Sequence, residues 1–424
     1  MNILNGIDLS TIPIQLIKEE IEMLNFKIIG CGAAGNKAAA NLLTKGFPND
    51  LVYFVNSTTV DIPKNVDEDK IIIFGKSGAT KGGCGKERSI GKKMLLEDMQ
   101  KDCSAFDKIV DGSEDAIVLC GSTEGGSGSA SMPILAKYFK EVHKKPVIVV
   151  QFFGFKDDIR GLRNTIEICQ EMSEDYTIIG IDNSAFLERC NNNRFRAEKA
   201  ANEKFALVLK IIMGGTIIPG DQMIDDTDLF KIITTPGYMI ADGTELPDRI
   251  KNTEEFNKII TNMLHYTDFI DPPKQAGCKR IGTIFNLIEI DDAIDYSGKS
   301  IGTVYGDPYE YFISLAENTN HHNDFYYIAS GMKFPIDKIK AVYDEYQNRS
   351  SSMDISKDNF FANISAMRGN DGDSQFDMFD SSSTKPDLKA EKSDFFASFG
   401  VKDFTDDGKK TQTGVVDKET MEEY

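Results

Sequence analysis

The sequence predicts an α/β protein: a Rossmann-like parallel-sheet domain, a long central helix, a smaller α/β second domain and a disordered tail. Three observations carry this expectation. Short apolar, strand-like runs alternate with helical patterns through about the first half of the chain, glycine-rich turns follow several of the strands, and the composition changes abruptly at residue 350. Continuous apolar strands alternating with helices argue for a parallel sheet covered on both faces.

Residues 1–25 read as an N-terminal helical extension, amphipathic but broken by Pro13 and carrying acidic residues, unlike the basic start and unbroken apolar core of a signal peptide. The first α/β domain is expected over 26–193, with strands at 26–30, 51–56, 70–74, 116–120, 146–152 and 176–181 and helices at 36–45, 87–101, 131–143 and 160–172. Ligands in such sheets sit beyond the carboxyl ends of the strands, where the glycine-rich turns also fall. A central helix and linker follow over 194–220. Phe205, Ala206, Val208, Leu209, Ile212 and Met213 give this helix a broad apolar face, and Gly214-Gly215 stops it. Pro219-Gly220 opens an acidic loop, Asp221-Gln-Met-Ile-Asp-Asp-Thr-Asp228, and the second domain over 221–349 has strands at 280–290 and 325–331.

From residue 350 the chain turns to Ser, Asp, Lys and Gly without periodicity, the signature of disorder. The tail carries 16 acidic and 9 basic residues. Its eight phenylalanines include a pattern that occurs twice, Lys357-Asp-Asn-Phe-Phe-Ala362 and Lys392-Ser-Asp-Phe-Phe-Ala397, which suits weak multivalent docking. The formal charge of −19 argues against direct binding of nucleic acid by the folded body. Seven scattered cysteines lack any C-x-x-C, and the four histidines show no ligand spacing, so neither a disulfide framework nor a protein-held metal is expected. Free thiols suit a cytoplasmic protein. No apolar run reaches the length of a membrane span.

The most informative stretch is Gly121-Ser-Thr-Glu-Gly-Gly-Ser-Gly-Ser-Ala130, between the apolar run Ala116-Ile-Val-Leu-Cys120 and a helical pattern. Strand, glycine-rich turn and helix make a phosphate cradle, because glycines let backbone N–H groups converge and the helix N-terminus adds positive charge. A P-loop would need a lysine after its last glycine, and none is present. A second cradle, Gly30-Cys-Gly-Ala-Ala-Gly35, is a complete G-x-G-x-x-G, which alone would predict an NAD-dependent oxidoreductase. That reading needs an acid at the end of the next strand to hold a ribose, and the strand ends instead in Asn56-Ser57-Thr58.

Together the two cradles resemble the tubulin/FtsZ superfamily, and the resemblance continues in order from about residue 26 to 243. Gly30–Asn36 is similar to the first phosphate loop and Val55-Asn56-Ser57-Thr58 to the segment after the second strand. Thr80-Lys-Gly-Gly-Cys-Gly85 resembles the loop near the terminal phosphate, and Gly125-Gly-Ser-Gly-Ser129 the glycine signature. Asn183 stands where the family contacts guanine, and Asn202-Glu203 where the central helix reads the base edge. The resemblance therefore implies a GTP-binding domain that contacts the nucleotide through Gly32, Ala33, Ala34, Asn36, Asn56, Gly83, Gly85, Gly125, Gly126, Ser127, Gly128, Ser129, Arg160, Asn183, Asn202 and Glu203. It binds GTP or GDP, with Mg2+ carried by the nucleotide.

Several positions depart from the family pattern. Glu124 and Ala130 replace glycines, which predicts a less open cradle. Lys156 stands where a ribose-binding acid is usual, leaving Asp157 or Asp158 for that role. Lys199 occupies the place of the ring that stacks on the base. Met223 replaces the asparagine of the FtsZ acidic loop, so the segments 82–88 and 224–228 look closer to the TubZ-type tubulins of plasmids and phages.

The resemblance further implies a GTPase whose hydrolysis is coupled to polymerisation. The catalytic residues it implies are Asp225 and Asp228, reaching the pocket of the next subunit to polarise a water, with Asp221 and Asp226 as bystanders. The implied function is a self-assembling cytomotive filament that segregates or positions plasmid or phage DNA. DNA is then reached only indirectly, through a basic adaptor held by the tail. A phage tubulin whose tail stabilises the filament, an FtsZ-like division protein, a filament with dead catalysis and, from another class, the NAD-dependent oxidoreductase remain as alternatives.

Overall fold

The computed structural model describes residues 24–64, 66–75, 83–172, 175–220, 222–264, 268–273, 276–317 and 322–351. The expected N-terminal extension up to residue 23, Thr80-Lys-Gly82 of the third loop, Asp221, and the tail from 352 with both Phe-Phe repeats lie outside them.

The first half alternates strand and helix as expected: β1 (Phe26–Cys31), α1 (Gly32–Thr44), β2 (Val52–Asn56), β3 (Ile71–Ile73), α2 (Arg88–Lys101), α3 (Ser104–Asp107), β4 (Ala116–Ser122), α4 (Gly126–Glu141), β5 (Val147–Phe153), α5 (Ile159–Glu171) and β6 (Thr177–Asp182). The central helix α6 (Arg194–Ile212) follows, then α7 (Asp226–Ile233), β7 (Gly237–Leu246), α8 (Thr253–Leu264), β8 (Arg280–Leu287), α9 (Lys299–Tyr305), β9 (Glu310–Glu317), β10 (Asn323–Met332) and α10 (Ile336–Ser351). Among the described residues the strands form one ten-stranded sheet in the order β3-β2-β1-β4-β5-β6-β7-β10-β8-β9. Every pairing from β3 to β7 is parallel, and β10 runs antiparallel to both β7 and β8.

The parallel strands explain their own sequences. Every residue of β1, β2, β5 and β6 is buried, so these strands read as mostly apolar runs, interrupted by the buried Lys27 and Gln151, rather than as alternation. The second α/β region extends the same sheet through a narrow joint, where Thr177 pairs with Gly237 and Ile178 with Tyr238. A buried ion cluster reinforces the joint: Lys204 of α6 lies 2.7 Å from Asp242 of β7 and 3.0 Å from Asp268.

Helix packing beside the parallel sheet depends on one arginine. Pro133 lies inside α4 and has no N–H for the Ser129 carbonyl, the acceptor one turn back. The buried Arg88 of α2 fills that gap, donating from Nε to the Ser129 oxygen at 3.1 Å while its guanidinium pairs with Glu171 and Glu167 of α5. One side chain thus joins three helices around the glycine signature. Among the described residues no helix is long and apolar enough to cross a membrane.

Two expectations shift. α1 and α4 start at Gly32 and Gly126, within the segments read as turns, so the cradle glycines are the first turns of helices. The acidic loop is also shorter than expected, because α7 begins at Asp226. Asp225 caps that helix, accepting a 2.8 Å hydrogen bond from the Asp228 backbone N–H.

Candidate functional site: a nucleotide pocket at the carboxyl edge of the sheet

β1 and β4 are neighbours, with Cys31 in register with Gly121, so the helices that leave them start side by side. The N-cap residues of α1 and α4, Cys31 and Gly125, make no side-chain cap hydrogen bond, and neither first turn carries an acidic residue. The first-turn N–H groups of two helices of 13 and 16 residues therefore converge on one place, which favours an anion. The two turns touch. Gly32 has φ +70°, and a Cβ there would lie 2.6 Å from the Gly128 nitrogen; a Cβ on Gly128 would lie 2.6 Å from the Cys31 oxygen. Glycine is required at both positions by this approach of one backbone to the other.

Around the cradle, three buried asparagines each keep one amide atom without a partner among the described residues. Asn36 donates to the Val55 carbonyl at 3.4 Å, leaving Oδ1 unpaired. The Asn56 Oδ1 accepts from the Ser57 N–H at 2.9 Å, leaving Nδ2 unpaired. Asn183, the residue after β6, has an unpaired Oδ1. Buried polar atoms without partners are costly, so two acceptors and one donor in α1, at the end of β2 and after β6 fit a polar ligand that completes them. These are three of the residues that the sequence singles out for nucleotide contact.

The third loop closes onto the same place. Ser57 Oγ and Ser127 Oγ lie 2.7 Å apart, with Cys84 Sγ 3.6 Å from Ser127 Oγ. Gly83, Gly85 and Lys86 all have positive φ, the backbone of a tight loop. Arg160 is engaged with this loop, donating to the Gly85 carbonyl at 3.1 Å and pairing with Glu87 at 2.8 Å. Ser129 turns its hydroxyl back to the Gly125 carbonyl.

The two departures in the signature do not narrow the cradle, contrary to expectation. The Glu124 side chain turns away from it, into space beside Gly154 and Gly161 that a methyl group on Gly154 would occupy, and accepts a 2.8 Å hydrogen bond from the Lys156 N–H. Burial pushes the Glu124 carboxyl above its ordinary range. Ala130 faces α2, where it packs against Gly91.

Of the two acids expected near a ribose, Asp158 caps α5 through the Gly161 N–H at 2.7 Å and pairs with Lys86 at 2.6 Å. The Lys86 ammonium holds its carboxyl below the ordinary range. Asp157 pairs with Arg194 at 2.6 Å, at the start of α6. Asn202 and Glu203 lie against α1: the Asn202 carbonyl accepts from Asn41 at 3.3 Å, and Glu203 pairs with Lys45 at 2.5 Å. Lys199 is exposed, and one turn before it Phe195 presents a ring at 77% exposure, an aromatic that inspection of position 199 alone overlooks.

The acidic turn lies at the other edge of the sheet. Leu24, just before β1, donates to the Met213 carbonyl at 3.1 Å, so the end of α6 sits beside the start of β1, opposite Cys31. α6 alone spans ~28 Å at 1.5 Å per residue. Beyond it, Gln222 exchanges backbone hydrogen bonds of 3.3 and 2.9 Å with Leu315, fixing the turn to β9. Asp225 is exposed, and Asp228 pairs with Lys231 at 3.1 Å.

A parallel-sheet pocket built from two facing helix N-termini and buried asparagines with unpaired amide atoms is a nucleotide-binding arrangement. Residues 25–191 match the Tubulin/FtsZ family, GTPase domain. The match sets the NAD reading aside. Cell division protein FtsZ 2 of Methanocaldococcus jannaschii is 26% identical over 243 residues, covering 56% of this chain and 62% of the relative, so the match spans under two thirds of that protein's length. The fold is shared with a GTPγS-form protofilament of Bacillus thuringiensis serovar israelensis TubZ (TM-score 0.66, 15% identity, 83% of this chain and 99% of the other). It is also shared with GDP-bound monomeric CetZ1 of Haloferax volcanii (TM-score 0.60, 19% identity, 76% and 100%).

Proposed function

We propose that this protein is a GTP-dependent, self-assembling filament protein that hydrolyses GTP where subunits meet. The observation that carries the reading is the separation of two parts of one site. The cradle lies at the carboxyl edge of the sheet, and the exposed Asp225 lies beyond the far end of α6, a helix length of ~28 Å away. No side-chain motion joins them within one chain. A head-to-tail neighbour brings one subunit's acidic turn to the next subunit's pocket, and a heterologous contact of that kind propagates into a filament.

In this reading the first turns of α1 and α4 hold the phosphates, Asn36 and Asn56 complete their hydrogen bonds on the nucleotide, and Asn183 contacts the base, with Asn202 and Glu203 assigned to the base edge by motif order. Magnesium comes with the nucleotide; the described residues hold no cluster of three or more His, Cys, Asp or Glu side chains suited to a metal. Asp225 and Asp228 orient and polarise the attacking water.

The structural likeness to TubZ and the exposed Met223, in place of the asparagine of the FtsZ acidic loop, favour a filament that moves or positions plasmid or phage DNA over a division protein. The formal charge of −19 supports a basic adaptor rather than direct DNA contact. Light scattering and phosphate release, followed together after GTP addition, test the assembly and its chemistry. Asp225→Asn keeps a capping side chain for α7 and removes the charge, so it is expected to assemble and not hydrolyse. An Asp225→Asn variant that hydrolyses at the parental rate contradicts the assignment.

A further inference from the structure

We infer that α10 is a strap across the nucleotide pocket, with Lys338 and Arg349 as positioning residues for the loops on its ribose and base side; the inference rests on the nucleotide reading of that pocket. α10 packs along α5 through a small apolar cluster separate from the main core, formed by Val342 and Tyr343 against Leu162 and Ile166. Its polar contacts go to the two loops at the ligand edge. Near its start, Lys338 pairs at 3.1 Å with Asp182, the residue before Asn183. Near its end, Arg349 donates from Nη1 to the carbonyls of Lys156 at 2.9 Å and Asp157 at 3.3 Å, while its other arm pairs with Glu345.

Lys156 is where the Arg349 contact meets the glycine signature. Its φ of +58° is a left-handed conformation that a side-chain-bearing residue holds only when its surroundings impose it. Two partners impose it here. Glu124, from the glycine signature, accepts its N–H, and Arg349, from α10, donates to its carbonyl. The next residue, Asp157, pairs with Arg194 in the first turn of α6. One loop therefore links the phosphate cradle, the strap and the helix that leads to the acidic turn. Releasing Arg349 frees the Lys156 peptide on one side, and releasing Lys338 takes one partner from Asp182, beside the base-side Asn183, and leaves it the Ser184 N–H at 3.0 Å.

The test is the release rate of a fluorescent GDP analogue from the full chain, beside its melting temperature. Arg349→Ala and Lys338→Ala are each expected to release it roughly tenfold faster, the effect of losing a charge-assisted hydrogen bond. Arg349→Lys keeps a cation able to reach one carbonyl and is expected to give an intermediate rate. Parental release from both alanine variants overturns the strap, as does a lower melting temperature with release unchanged. An unsubstituted chain that binds no guanine nucleotide overturns the pocket reading itself, which separates the two failures.

Discussion

Ser57 and Ser127 share a 2.7 Å hydrogen bond between their hydroxyls, and that bond joins the end of β2 to the first turn of α4. It is the direct side-chain link between the Asn56 segment and the glycine signature. Removing it with Ser57→Ala is expected to cost about 1 kcal/mol of stability and to weaken nucleotide binding several-fold, since the two walls of the cradle then move independently. Denaturant unfolding and a guanine-nucleotide titration check both effects.

The close approach of Gly128 to β1 makes a sharper expectation. A methyl group there meets the Cys31 carbonyl oxygen at 2.6 Å, and both partners are backbone. Gly128→Ala is expected to lose about 1–3 kcal/mol of stability through overpacking and to abolish tight nucleotide binding. Gly125, where a Cβ meets nothing within 4 Å, is the internal control, and Gly125→Ala is expected to fold with near-parental stability.

Glu124 gives a pH dependence with a defined sign. Burial raises its folded-state carboxyl above the ordinary value of 4.5, with Asp157 and Asp158 adding to the rise and the Lys156 N–H and Lys86 opposing it. The folded state therefore binds the proton more readily than the unfolded chain. Stability from this group is fully present below 4.5 and declines as pH rises through the folded-state value. Glu124→Gln keeps the acceptor for Lys156 and removes the charge. It is expected to melt higher than the parent at neutral pH, with the difference closing as pH falls toward 4.5. Melting curves across pH check this, and a gap independent of pH counts against it.

Lys204 holds the joint between the two halves of the sheet. It is buried and bridges Asp242 and Asp268, while Arg189 gives Asp268 a second partner. Lys204→Met leaves Asp242 as an uncompensated buried charge and is expected to cost about 3–5 kcal/mol. Adding Asp242→Asn is expected to recover part of that loss, a coupling that a double-mutant cycle measures.

Much of the first half was legible because its physics is local. β1, β2, β4, β5 and β6 are found within two residues of their expected limits, since strands buried on both faces carry a continuous apolar signal. β7 was hidden by Asp242, Gly243 and Glu245, whose places are set by Lys204 and by the neighbouring β10 rather than by periodicity. β9 was hidden because its exposed start, Glu310 and Tyr311, carries no apolar pattern. The starts of α1 and α4 read as turns in the sequence because glycine is a poor helix former, although it is the residue that lets their N–H groups face a ligand. Asn36, Asn56 and Asn183 were identified by motif order, and the structure supplies a reason in their unpaired amide atoms. The roles of Glu124, Lys338 and Arg349 were not legible. Arg349 meets a backbone carbonyl 193 residues away, and no local pattern encodes such a contact.

The central claim is that the active site is shared between subunits, and the most direct measurement is GTP turnover per subunit across a protein concentration series, with light scattering recorded in the same samples. The account expects turnover per subunit to be low at high dilution and to rise together with scattering as filaments form. Turnover per subunit that stays constant across the series, with or without scattering, would contradict it and return catalysis to the single chain.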